Sequence, residues 1–267
     1  MHRRDFFRSL SIATGVGLTG MGLPEIGLPG TELSAQKVES SQIPDLVAAD
    51  RILAAHEIVD AYGHVSVRSD QNPQHFFMSR SLAPELVTAD DILEYDLDCK
   101  VIGPSKAAVF LERFIHGEVY KARPDVKAVV HCHTPSLIPF GATDVPLRPM
   151  FGLAGFIAEG VPVFEIRKTA GMTDLLISNQ ARGKALAETL GNKPAALLRG
   201  HGAVVTAVSI PLVVGRCVYL DMNAKVQYQA MAMSKTVTYL TPEEGKQSVA
   251  DDYRRAWELW RRKAMGN

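Results

Sequence analysis

Apolar positions at helical spacing mark residues 45–61, where Leu46, Ala49, Ile52, Leu53, Ile58 and Val59 recur on one face before Gly63 breaks the pattern. The period then changes. Val65-Ser66-Val67-Arg68 alternates like a half-buried strand, His75 to Met78 gives a second strand, and Gln71-Asn72-Pro73 between them carries turn residues. Ile92 to Leu97 and Val101-Ile102 add further short strands. Helical spacing returns over 106–122 and is stopped by Arg123-Pro124-Asp125, because proline cannot continue a helix. Val126 to His133 predicts a strand, 173–190 a helix closed by Gly191, and Ala195 to Leu198 a short buried strand running into Arg199-Gly200-His201-Gly202. Ala203 to Val208 predicts another strand, 211–233 a long helix opened by Pro211, and 242–262 a final polar helix. Strands and helices are interleaved, and the strand spacing points to mostly antiparallel pairing. The expectation is one α/β domain with a central sheet covered by helices.

Composition adds limits to that picture. The chain is 46% hydrophobic and 22% charged, as an ordinary globular protein is. Its 29 basic and 29 acidic residues cancel, which leaves no electrostatic basis for a nucleic-acid or anionic-lipid partner. The first 35 residues read differently. Met1-His2-Arg3-Arg4-Asp5-Phe6-Phe7-Arg8 precedes a weakly apolar, glycine-rich run from Leu10 to Leu23, and Leu33-Ser34-Ala35 is a small-residue cleavage site. Consecutive arginines followed by Asp-Phe-Phe resemble a twin-arginine export signal. The run of 14 residues is too short for a bilayer span. Residues 1–35 are therefore expected to be a signal peptide directing the protein to the periplasm, with a catalytic domain over 36–267. Three cysteines, Cys99, Cys132 and Cys217, are an odd number and argue against a disulfide framework.

The candidate chemistry starts on the strand at 126–133. Side chains alternate between faces, so His131 and His133 share one face with Lys127 and Val129, while Cys132 points away. Two such histidines lie roughly 6.5–7 Å apart at Cα, which lets both imidazoles reach one cation. Imidazole suits zinc, manganese, iron or nickel, and a catalytic zinc wants about three protein ligands with a further position open. His201, between Gly200 and Gly202 just after a buried strand, is the candidate third ligand. Glu112 and His116 stand four residues apart, on one face of a helix, and a carboxylate beside a cation can act as acid, base or extra ligand. Spacing by itself equally allows two ordinary strand histidines and a surface Glu–His pair.

Read together, the segments carry a resemblance. Glu112-Arg113-Phe114-Ile115-His116, Tyr120, Arg123-Pro124-Asp125-Val126 and Ala128-Val129-Val130-His131-Cys132-His133 resemble the class II aldolase and adducin family. Gly63-His64-Val65-Ser66-Val67-Arg68 resembles its N-terminal substrate loop, and Leu198-Arg199-Gly200-His201-Gly202 its third-ligand segment. The resemblance covers about residues 45–240. It implies a three-layer α/β/α sandwich around a mostly antiparallel sheet, a divalent metal, usually zinc, on His131, His133 and His201, and Glu112 as catalytic acid or base. It also implies a homo-oligomer, commonly a cyclic tetramer. Adducin-like members lack the metal histidines and are structural, whereas this chain keeps all three.

The chain departs from the family's sugar-phosphate aldolases at informative positions. Two serines that help hold the phosphate are replaced by Phe110 and Leu111, and the asparagine of the substrate loop by His64. An apolar pair cannot supply hydroxyl donors to a dianion, whose burial without partners is costly. The substrate is therefore expected to be unphosphorylated. Asp60 to Arg68, Met78-Ser79-Arg80-Ser81, Ala83 to Val87 and Glu112 to Lys121 resemble instead a decarboxylase branch acting on carboxymuconic semialdehydes. A related branch uses manganese. That likeness implies that His64, Ser79 and Arg80 face a substrate carboxylate, which Arg80 could grip bidentately, with Gly63 beside them in the substrate-binding loop. Both chemistries break a C–C bond and leave an enolate that a Lewis acid stabilises. The expectation is a metal-dependent lyase, a decarboxylase first, an aldolase on an unphosphorylated hydroxy-ketone or hydroxy-keto acid second, and a non-catalytic metal-binding protein third.

Overall fold

The computed structural model describes residues 39–249 and 252–266, so the expected export signal lies outside the described residues. Within them, α1 (Ile43–Ala55) leads into β1 (His64–Arg68), β2 (His75–Ser79) and β3 (Ile92–Asp96). Then come α2 (Phe114–Ala122), β4 (Ala128–Cys132), the short helix α3 (Ile138–Ala142), β5 (Val163–Phe164) and the single turn α4 (Arg167–Ala170). The chain closes with α5 (Gln180–Leu190), β6 (Ala195–Leu198), β7 (Gly202–Ala207), α6 (Ile210–Met233), α7 (Pro242–Ser248) and α8 (Arg254–Met265).

The strands form one seven-stranded sheet in the order β3-β2-β1-β4-β7-β6-β5. Every pairing is antiparallel except β5 with β6. Alternation along the strands divides the core between the two faces of the sheet. On one side Ala128, Val130, Cys132, Ala203 and Val205 pack with Leu46, Ile52 and Leu53 of α1 and Val213, Cys217 and Leu220 of α6. On the other, Val129, Ala196, Leu198 and Val204 pack with Ile115 and Val119 of α2 and Leu186 and Leu190 of α5. The result is the expected α/β/α sandwich with a mostly antiparallel sheet. All three cysteines are free and buried. No helix among the described residues is long and apolar enough to cross a membrane.

Four predicted boundaries move, each for a visible reason. The first helix ends at Ala55, not 61, because Glu57 turns into a left-handed conformation at φ 58°. The helix expected over 106–122 starts late: Phe110 is extended, the Ala108 carbonyl accepts the Ser81 N–H at 2.8 Å, and a 3₁₀ turn at Leu111–Arg113 precedes α2. The helix expected over 173–190 starts at Gln180, where the Asn179 side chain accepts the Arg182 N–H. Residues 173–177 instead make side-chain turns, with Thr173 Oγ1 accepting the Leu175 N–H and Asp174 Oδ1 the Leu176 N–H. The final helix is two helices, interrupted ahead of Tyr253, which is left-handed at φ 49° and buries a ring whose hydroxyl donates to the Leu153 carbonyl at 2.6 Å.

Candidate metal centre and active site

β4 and β7 pair with His131 opposite Val204 and Cys132 opposite Ala203. The turn Arg199–His201 therefore rises beside the end of β4, where His133 follows the strand. This close approach needs a glycine: a Cβ on Gly202 would overlap the Cys132 carbonyl oxygen and lie 3.0 Å from His133 Cα. Gly63 has a matching role at the start of β1. Its φ is +92°, and a Cβ there would lie 2.7 Å from Val59 Cγ1 and 3.0 Å from the His131 carbonyl oxygen.

These turns bring Glu112, His131, His133 and His201 together, with one ligand-type atom from each within 4.8 Å of all the others. His131 Nε2 and His201 Nε2 each lie 3.0 Å from His133 Nε2. Glu112 Oε2 is 3.5 Å from His131 Nε2 and 3.4 Å from His201 Nε2. A tetrahedral zinc with bonds of about 2.0–2.1 Å has ligand–ligand edges of about 3.3 Å. These four edges bracket that value and the whole set lies within 4.8 Å, so the donor set fits a divalent cation. The tautomer of His131 fits as well. Its Nδ1–H donates to the Ala203 carbonyl at 3.1 Å, which leaves the Nε2 lone pair facing the cluster. His201 has no such brace among the described residues, where its enclosed Nδ1 has no partner.

Electrostatics favour the same arrangement. Burial opposes the charge of Glu112, but the adjacent His131 and His201 rings outweigh it and hold the carboxyl below the ordinary range. Burial, reinforced by His131 and His201, lowers His133 to about 4, so its ring is neutral at physiological pH. Glu112 is anchored on its other oxygen: Oε1 accepts the Ile177 N–H at 2.8 Å. Thus the loop that interrupts the predicted helix is the segment that holds the carboxylate.

The residues expected to bind substrate divide into two pairs. Gly63 and His64 adjoin the centre, with His64 paired across strands with His131 and its ring 5.2 Å from the His131 ring. Ser79 is buried at the end of β2, and Arg80 gives its Nε–H to Asp91 at 2.7 Å. Neither makes a hydrogen bond or ion pair with the four donors. Phe110 packs its ring 4.6 Å from that of His64. His116, one helical turn beyond Glu112, is wholly buried and 2.6 Å from His64 Nδ1. Sequence reasoning missed Ile177 and Ala203, which act through backbone groups and carry no side-chain signal.

A seven-stranded α/β/α sandwich thus brings three histidines and a glutamate together near the ends of two central strands, in an arrangement that fits a divalent cation. The chain belongs to the class II aldolase and adducin family: residues 44–228 match the family described as Class II Aldolase and Adducin N-terminal domain. It is 35% identical over 247 residues to Decarboxylase tropJ of Talaromyces stipitatus, covering 83% of this chain and 93% of that protein. It is 27% identical over 199 residues to the 3,4-dihydroxyphthalate decarboxylase of Arthrobacter keyseri, covering 69% of this chain and 76% of the relative. The fold matches that of an aldolase II superfamily protein from Pseudomonas syringae with a TM-score of 0.72 at 22% identity, over 85% of this chain and 95% of that one.

Proposed function

We propose that the protein is a divalent-metal-dependent decarboxylase of an unphosphorylated hydroxy- or keto-carboxylate. Carboxylated dihydroxy-aromatic acids and carboxymuconic semialdehydes are the leading substrate classes. The observation that carries this reading is the four-donor cluster preceded by Phe110 and Leu111, which offer no donors to a phosphate. Relatives named as decarboxylases support it. Zinc is the expected ion and manganese the alternative, held by His131, His133 and His201 with Glu112 beside them.

When bound, the ion supplies a Lewis acid that stabilises negative charge building on a substrate oxygen. The protein's residues handle the proton. Glu112, fixed through Oε1 by the Ile177 N–H, turns Oε2 toward His131 and His201, where it takes the proton of the substrate hydroxyl. Oε2 then returns it to the carbon that carries the carboxylate. The bond from that carbon to the carboxylate breaks, CO2 leaves, and the electron pair passes back into the conjugated system. His131 is enclosed and Glu112 nearly so, which limits the access of solvent to the proton carrier.

The test is metal analysis of the purified protein followed by CO2 measurement with dihydroxyphthalates and carboxymuconic semialdehydes. CO2 release that disappears in His131→Ala together with the metal supports the reading. An aldehyde product without CO2 would replace it with an aldolase on unphosphorylated substrates. We further propose export by the twin-arginine route, tested by fractionating cells that express Arg4→Lys, and a homotetramer, tested by light scattering.

A further inference from the structure

Four buried side chains beside the candidate metal centre are linked in one chain of side-chain hydrogen bonds. Tyr120 Oη lies 2.7 Å from Ser66 Oγ, and Ser66 Oγ lies 2.6 Å from His116 Nδ1. His116 Nε2 lies 2.6 Å from His64 Nδ1. The sequence builds this from two periodicities. His64 and Ser66 are alternate residues of β1 and share its face, while His116 and Tyr120 are four apart on α2 and share its side. Ser66 and His116 are fully enclosed, Tyr120 is 1% exposed and His64 3%.

The direction of the chain follows from counting hydrogens. Each neutral ring and each hydroxyl carries one polar hydrogen, so the four groups have four hydrogens for three bonds. If all point outward, Tyr120 donates to Ser66, Ser66 to His116 Nδ1, and His116 Nε2–H to His64 Nδ1. The one hydrogen left over is then on His64 Nε2, at the edge of the site. If they point inward, the Tyr120 hydroxyl hydrogen is stranded in the core. If Tyr120 and His116 both donate to Ser66, the Ser66 hydrogen is stranded. Among the described residues neither hydroxyl has another acceptor. A buried donor without an acceptor disfavours those alternatives on the order of ten-fold or more. The inner end of the chain is closed, so the hydrogens run toward the site. Both rings are buried, and their hydrogen-bond partners are a hydroxyl and another imidazole, not a carboxylate, so both are neutral and the count is valid.

We propose that His116, backed by Ser66 and Tyr120, is a positioning residue that locks His64 as its Nε2–H tautomer, so that His64 offers one fixed hydrogen-bond donor to the substrate carboxylate beside His131. The carboxylate in this statement rests on the function proposed above. His64 Nε2 has no acceptor among the described residues, and Phe110, with its ring 4.6 Å away, holds the plane of the imidazole.

The tautomers can be read directly by ¹⁵N NMR of histidine-labelled, zinc-loaded protein, with His64→Gln used to assign the signal. The expected result is that His64 and His116 both carry hydrogen on Nε2 and not on Nδ1, by about ten-fold or more. Tyr120→Phe keeps that state, because the Ser66 hydrogen still has nowhere to go but outward. His116→Leu severs the chain, brings both His64 tautomers to within a few-fold, and raises KM about ten-fold at unchanged metal content. A wild-type His64 protonated on Nδ1, or on both nitrogens, overturns the proposal. So does a His116→Leu protein with wild-type tautomer and KM. The NMR readout needs no turnover. If the tautomers are as stated and no carboxylate is decarboxylated, the function fails while the relay stands. CO2 release with the opposite tautomer overturns the relay and leaves the function standing.

Discussion

Gly202→Ala tests whether the metal centre depends on the close approach of β7 to β4. The added Cβ would overlap the Cys132 carbonyl oxygen and lie 3.0 Å from both Cys132 C and His133 Cα. All three obstacles are backbone, so no side chain can swing away. Relief requires the turn at His201 and the end of β4 to part by about 1 Å, and a shift of that size in a positioned group costs on the order of 10²-fold in rate. Overpacking of a core contact costs about 1–3 kcal/mol. At about 2–4 °C per kcal/mol for a domain of this size, the melting temperature should fall by roughly 2–12 °C. Three measurements apply: thermal melting of the chelated protein, zinc affinity by competition with a chromophoric chelator, and kcat/KM. The expected pattern is a modest loss of stability with a much larger loss of metal affinity and turnover, because His201 and His133 flank the clash. A variant that binds zinc and turns over like the parent would refute the reasoning, whatever its melting temperature.

Other outcomes follow from the buried charges. Glu112→Gln should keep the metal on the three histidines and lose about 10²–10⁴-fold in turnover, since the proton carrier is gone; full activity would remove Glu112 from the mechanism. His116 titrates at about 3 in the folded chain against an ordinary 6.5, so below pH 6.5 the unfolded chain takes up a proton that the folded one refuses. Its stability contribution is present above 6.5 and is lost as the pH falls toward 3, on the order of a few kcal/mol in total. Urea titrations of the chelated protein between pH 7 and 4 should show this slope, and His116→Asn should flatten it by about one proton. Asp50 is buried in α1 with Oδ2 unpartnered among the described residues, and desolvation pushes its carboxyl well above the ordinary range. Ionised Asp50 is therefore a cost that grows as the pH rises, so Asp50→Asn should stabilise the protein at pH 8 by about 1–3 kcal/mol. That advantage should shrink toward pH 4, and a gain independent of pH would assign the effect to packing instead.

The sequence by itself determined most of the alternation of elements, the mostly antiparallel sheet and the four side chains that the fold brings together as candidate metal donors. Those features are local or periodic. His131 and His133 share a face because strands have a period of two residues, and the glycines around His201 mark a turn whatever follows. It could not supply the segments whose conformation is decided by partners far along the chain. Residues 173–177 have helical spacing but are held as a loop, partly because the Ile177 N–H is taken by Glu112, 65 residues away. Residues 106–110 likewise give up helix for a bond to the loop after β2. Backbone groups such as the Ala203 carbonyl, which sets the His131 tautomer, have no residue type to announce them. The Tyr120–Ser66–His116–His64 chain lies between these cases. Each pair was legible from its own period, on β1 and on α2, but only the packing of that helix against that strand joins them.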